Sequence, residues 1–324
     1  MGCRSTEVIP MPLVRNPIMP PKTERLGVLA LSAAFAALAS SIAMASPDAS
    51  ATAASDKTKL RICAAANELP FSNRERTGFE NKIATVVAEA MGRTAEFVFL
   101  DKASIYIVRD LLDKRQCDVV MGLDTGDPRV LTTRPYYRSG YVFVQKADSP
   151  LDIKSWESPD LQKVSKVGFI AGTPVETMVR KVGLYENNFN YMKSLMGFKD
   201  RRNQYVRVPP EKMVAEVADR TADIAVHFAP EVARYVKADG RVKLTLIPDD
   251  NTRSDGEKVP HHFDQSAGVR LDDKELLAAV DLALEKAKPS IDKILGDEGI
   301  PLLPVTKSSN RGAGIDAILG SDFE

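Results

Sequence analysis

From residue 59 onward, short apolar runs of strand length alternate with stretches whose apolar residues recur at helical spacing. This alternation narrows the fold more than any other feature of the chain. Strands read at 59–65, 95–100, 118–123 and 141–144. Between the first two, Ile83, Val86, Val87, Ala90 and Met91 mark a helix over 79–91, stopped by Gly92. Ile105, Val108, Leu111 and Leu112 mark a second helix. Two neighbouring parallel strands need a crossover, and a helix is the usual one, so the order predicts an α/β fold with mainly parallel sheets flanked by helices. Ligands of such sheets bind at the carboxyl ends of the strands.

The pattern then starts again. A strand at 167–170 ends in Ala171-Gly172, and Thr173, Pro174 and Glu176 give a helix start with a capping hydroxyl, a first-turn proline and an acid three residues after the cap. Met213, Val214, Val217 and Ala218 mark a helix entered through Pro209-Pro210. Strands at 223–226 and 244–247 flank a short helix at 230–236. A strand at 265–270 leads to a long helix carried by Leu276, Leu277, Val280, Leu284 and Ala287, which Pro289 is expected to break. Two such series, in a chain of this length, read as two α/β units. The stretch 184–207 fits no clean period. It sets Tyr185, Phe189, Tyr191, Phe198 and Tyr205 among Lys193, Lys199, Arg201 and Arg202, and reads as an added subdomain or a surface loop. Residues 305–324 read as a flexible tail.

The first 45 residues differ in kind. Arg4, Arg15, Lys22 and Arg25 precede an apolar run over 26–42, and Ala43-Met44-Ala45 is a small-x-small cleavage signature, so 1–45 reads as a signal peptide and 46–57 as a flexible linker. A membrane anchor is the other reading, but the run is short and rich in Ala and Ser. The true start is left open between Met1, Met11 and Met19. With Cys3 in the leader, an exported chain keeps Cys63 and Cys117. An even pair in an oxidising compartment reads as a disulfide, the alternative being two buried thiols beside apolar strands. The 44 basic and 44 acidic residues form no block, and one Trp offers no stacking platform, so nucleic-acid binding has no support.

Several segments in this order resemble the type II periplasmic solute-binding proteins, the amino-acid-binding branch in particular. They are Leu60-Arg61-Ile62-Cys63 with Pro70-Phe71-Ser72, Gly78-Phe79-Glu80-Asn81, Pro135 through Tyr141, Gly172-Thr173-Pro174, and Asp223-Ile224-Ala225-Val226. The resemblance covers roughly 58–304. It implies a chain that crosses between lobes twice, with lobe 1 at 58–146 and 248–304 and lobe 2 at 147–247. It also sets the first and third strands side by side, which supports pairing Cys63 with Cys117. The runs from Cys117 through Arg129 to Tyr141-Val142-Phe143, and from Cys63 through Asn73, are similar to a subgroup, the J proteins of bacterial methanol oxidation systems. That resemblance implies a periplasmic accessory of the PQQ-dependent methanol dehydrogenase.

By the same resemblance the cleft would be lined by Asn67, Phe71, Asp124, Thr125, Arg129, Gly172, Thr173, His227 and Phe228. An amino-acid ligand needs a guanidinium or free helix amides for its carboxylate, and Arg129 or Gly172-Thr173 are the candidates. Each has a plain alternative: Arg129 pairing locally after Asp127-Pro128, and Thr173 as a helix cap. For the ammonium the family places a carboxylate where this chain has Phe228, so a changed or lost ligand is expected, leaving an unidentified small cleft ligand. The aromatics and basic residues of 184–207 (Tyr185, Phe189, Tyr191, Phe198, Arg201 and Arg202) are candidates for a partner surface. No catalytic motif, cofactor motif or metal-binding spacing is present, and His261-His262 reads as a surface loop. The competing functions are an accessory protein, a receptor feeding an ABC transporter, and a lytic or hydrolytic enzyme, the last lacking a catalytic pair.

Overall fold

A computed structural model describes residues 57–196 and 208–306. The expected leader, most of the linker, Phe198, Arg201, Arg202 and most of the tail lie outside the described residues.

The first apolar run forms β1 (Lys59–Ala65), followed by the small strands β2 (Asn67–Glu68) and β3 (Ser72–Asn73) and by α1 (Phe79–Ala90). Helix α1 buries Phe79, Ile83, Ala84, Val87 and Ala88, residues three or four apart on one face. After β4 (Thr94–Leu100), the expected second helix is no regular one. A 3₁₀ turn at Ser104–Tyr106 runs into a wide π-helical turn at Val108–Leu112, which still buries Val108, Leu111 and Leu112. Then come β5 (Val119–Asp124), β6 (Leu131–Thr132) and the ten-residue β7 (Tyr137–Lys146). The second series holds β8 (Val167–Gly168), α2 (Pro174–Lys181), α3 (Tyr185–Met196), α4 (Pro210–Ala218), β9 (Ile224–Phe228), α5 (Ala229–Asp239) and β10 (Val242–Leu246). The chain closes with β11 (His262–Val269) and α6 (Lys274–Glu298).

Helix α6 runs unbroken through Pro289, against the expectation from sequence. An interior proline costs a helix about 3 kcal/mol. Leu277, Val280, Leu284, Ala287, Ile291 and Leu295 stay in phase on one buried face across it. Burying Ile291 and Leu295 contributes roughly 1.5–3 kcal/mol each, which outweighs the interruption.

The sheet is mixed. Its order is β4-β1-β5-β11-β7-β9-β8, with β10 also on β7 and β6 on β11. β1 lies parallel to β4 and β5, and β8 parallel to β9, while β11, β7 and β10 are antiparallel to their neighbours. Strand β7 serves two partners in succession. Tyr137–Gly140 pair with β11, and Tyr141–Gln145 pair with β9. The cores divide at the same point: Tyr136 and Tyr137 pack with β1, α1 and α6, whereas Val142, Phe143 and Val144 pack with α2, α4 and α5. Strand β7 thus passes from one core to the other near residue 141, and Val259 packs in the second core. Gly140 sits at this crossing because a Cβ there would stand 2.5 Å from His262 Cδ2.

Cys63 and Cys117 form a disulfide with a Cα separation of 5.3 Å. Cys63 pairs in register with Val120 of β5, and both cysteines sit in a small core with Leu100, Val108, Leu111 and Leu112. An ion-pair cluster also ties α5 to α6 and α1. Arg234 of α5 donates to Glu298 at the end of α6 (Nε–Oε2 2.5 Å), and Glu298 also receives Lys82 of α1.

Candidate binding cleft

The carboxyl ends of β1 and β5 and the first turns of α2 and α5 enclose a cleft of about 490 Å³. Residues from both cores line it, as expected for a ligand site at strand ends. Of the nine residues expected there, Phe71, Asp124, Arg129, Gly172, Thr173 and Phe228 line it, and Asn67, Thr125 and His227 do not. Asn67 is exposed on β2. Thr125 turns its hydroxyl to Ser266 Oγ, 2.7 Å away. His227 precedes Phe228 on β9, so the two side chains point to opposite faces. The histidine is buried, with Nδ1 3.2 Å from Glu231 Oε2.

The anion-receiving groups are already engaged. Arg129 Nε and Nη2 lie 3.0 and 2.5 Å from the two carboxylate oxygens of Asp127. This pairing raises the guanidinium pKa further and holds Asp127 below the usual carboxylate range. The Gly172 amide donates to Glu176 Oε2 at 2.8 Å, and Thr173 donates its hydroxyl to the Ile170 carbonyl instead of capping α2. The plain alternative for Arg129, local pairing, describes what is seen, whereas Thr173 stands at the N-cap position of α2 with its hydroxyl bonded backward and not into the helix.

The acidic side of the cleft is better furnished than its sequence suggests. Glu80 of α1 and Glu231 in the first turn of α5 both line it. Tyr136 receives the Gly122 amide at 2.9 Å and donates to Glu80 Oε2 at 2.7 Å. Glu80 Oε1 is buried and has no hydrogen-bond partner among the described residues. Burial pushes the Glu80 carboxyl up to about 8, against the bond from Tyr136 that favours the ionised form. Gly122, at φ +70°, leaves room for this group, since a Cβ there would stand 3.0 Å from Glu80 Oε1. Glu231 lies one helical turn beyond Phe228, and an acidic residue in the first turn of the helix after β9 was the signal available for it. Tyr141, the first residue of the strand read at 141–144, and Phe263, two residues before the strand read at 265–270, were also missed as lining residues.

Among the described residues no group of three or more His, Cys, Asp or Glu side chains is placed to hold a metal ion. His261 is fully buried, with Nδ1–H donating to the Val259 carbonyl and Nε2 accepting the Trp156 indole N–H at 3.0 Å. His262 Nε2 bonds the Ile247 carbonyl. The pair reads as core and strand residues, not as the surface loop expected. Among the described residues no helix is long and apolar enough to cross a membrane.

The part of the candidate partner surface that is described is the helix α3. Tyr185 and Tyr191 are half-buried against the second core, with Arg180 over the Tyr185 ring at 3.3 Å, while Phe189 is 46% exposed.

The fold, with its twice-crossed two-core build and a cleft at the strand ends, is that of a type II periplasmic binding protein. Residues 60–295 match the bacterial extracellular solute-binding proteins, family 3, and the chain belongs to that family. It is similar to Protein MoxJ of Methylorubrum extorquens, 52% identical over 86% of this chain and 95% of that protein. It is similar as well to Protein MoxJ of Paracoccus denitrificans, 46% identical over 82% of this chain and 95% of that one. The crystal structure of MxaJ from Methlophaga aminisulfidivorans MPT superposes with a TM-score of 0.72 at 52% identity, covering 76% of this chain and all of that chain.

Proposed function

We propose that the chain is exported through its leader at 1–45 and acts in the periplasm as an accessory of a methanol oxidation system. Its role there is to support the assembly, maturation or activity of a PQQ-dependent methanol dehydrogenase, and it performs no catalysis of its own. The observation that carries this reading is the 52% identity with Protein MoxJ over most of both chains. The engaged state of Arg129 and Gly172 supports it against an amino-acid receptor feeding a transporter, because the groups such a receptor aims at a carboxylate are bonded within the chain. The stretch 184–207, with Phe189 exposed at its start, is the surface we assign to the dehydrogenase. The test is a deletion strain grown on methanol, combined with capture of the tagged mature protein from periplasm. Reduced dehydrogenase activity and co-capture of the enzyme are expected. Normal growth with full activity and no association would sink the proposal.

A further inference from the structure

Five carboxylic acids and one base line the cleft: Glu68, Glu80, Asp124, Asp127 and Glu231 against Arg129. The single base is held by Asp127. A field of this sign attracts cations and repels carboxylates. Another part of the lining is aromatic. Tyr141, Phe228 and Phe263 form a cluster with ring centroids 5.5, 6.1 and 6.3 Å apart, offering apolar surface and ring faces that attract positive charge. The sharpest feature is Glu80. It is only 6% exposed, lines the cleft, and keeps one carboxyl oxygen buried without a partner among the described residues. Buried polar atoms in folded proteins are normally bonded, so an orphaned one at a cleft wall marks where a ligand group belongs.

We propose that the cleft binds a small organic cation that carries no carboxylate, an alkylammonium, with its ammonium donating to Glu80 and its carbon chain against the Tyr141–Phe228–Phe263 wall. The family resemblance led to the opposite deficit, a missing ammonium partner at Phe228. In the folded chain the carboxylates are present and the carboxylate receptors are the groups withdrawn. This inference concerns the isolated protein and holds whether or not the chain serves a dehydrogenase.

Binding would carry a proton signature. The titratable groups facing Glu80 are Tyr136 and Tyr137 at the start of β7, with Asp124 of β5 and Glu231 of α5 sharing the cleft. Burial, together with the nearby carboxylates, pushes both tyrosines well above the ordinary phenol range, so they stay neutral. An arriving ammonium favours ionised Glu80, and the carboxyl proton leaves to solvent as the ion pair forms.

The experiment is calorimetric titration of the mature chain with n-pentylammonium, L-norleucine and 1-pentanol. Norleucine differs from pentylammonium only by its carboxylate, and pentanol lacks the charge. Pentylammonium is expected to bind at least ~10-fold more tightly than either, with affinity rising up to ~10-fold per pH unit between about pH 6 and 8 and about one proton released. Glu80→Gln is expected to abolish the proton release. Should that variant fail to fold, the proton count from two buffers of different ionisation heat reads the same group in the unaltered protein. Equal or tighter binding of norleucine or pentanol, no binding of pentylammonium at millimolar concentration, or binding without proton release overturns the proposal.

Discussion

Asp127 and Arg129 hold each other across the single residue Pro128, with the guanidinium Nε 3.0 Å and Nη2 2.5 Å from the carboxylate. Arg129 also donates to the Ile105 carbonyl at 3.3 Å. An arginine held this way presents little to a ligand carboxylate, because its paired donors would have to exchange one anion for another.

No common L-amino acid is therefore expected to reach micromolar affinity. Asp127→Asn removes the charge that engages Arg129 and is expected to raise affinity for a carboxylate ligand at least several-fold, a charge-assisted bond being worth about 1.5–3 kcal/mol. Calorimetry against an amino-acid panel, on both forms, checks this. Tight binding by the unaltered protein would refute it.

Glu80 sets a pH dependence of stability. Its folded pKa is about 8, above that of an unfolded glutamic acid, so the native state holds a proton that the unfolded chain has released. Its contribution is full below about pH 4.5 and is lost as pH rises to about 8, after which it is flat, at up to ~1.4 kcal/mol per unit in between. Glu80→Gln is expected to flatten this slope. Denaturant midpoints measured from pH 5 to 8 for both forms give the answer, and parallel curves would show that the carboxyl is ionised throughout.

The Cys63–Cys117 bond closes a loop of 54 residues' separation. Restricting the unfolded chain by that closure is worth about 4 kcal/mol on the loop-entropy model. Cys63→Ala with Cys117→Ala is expected to lower the unfolding free energy by about that amount while leaving far-UV circular dichroism unchanged. Two free thiols in unreduced periplasmic protein, seen by mass spectrometry, would contradict the bond itself.

How far these features were legible in the sequence differs by position. Strand β1 and helix α1 stand where the apolar pattern puts them, because each buries one regular face. Helix α3 escaped because the most buried residue of its inner face is polar: Asn188 is fully buried, takes the Val167 amide on Oδ1 and donates to the Leu184 carbonyl. A satisfied buried amide breaks a hydrophobic period without breaking a helix. Pro289 misled for the opposite reason, since tertiary burial on either side overrode a local penalty. In the cleft, single positions such as Phe228, and Glu80 at the turn into the first helix, were readable, but Glu231 entered it through a helical turn, which spacing along the chain does not show.

The exposed Phe189 of α3 offers the last test. Its ring carries Lys193 at 5.8 Å and stacks near Tyr185 at 6.0 Å, which is itself covered by Arg180. Tyr185 and Tyr191 are committed to the second core, so they are poor subjects for a surface variant, whereas Phe189 can be changed without opening the core. Aromatic and arginine side chains dominate the energy of protein contacts, because each buries much area and an arginine keeps a polar end. If this stretch meets the dehydrogenase, Phe189→Ala is expected to weaken association by about 1–2 kcal/mol, roughly 5- to 30-fold, with an unchanged thermal midpoint. Arg201→Glu with Arg202→Glu is expected to slow association and to make it less sensitive to salt, as removal of steering charges does. Surface plasmon resonance with purified dehydrogenase at two ionic strengths separates the two effects. Unaltered rates in both variants would move the contact elsewhere on the protein.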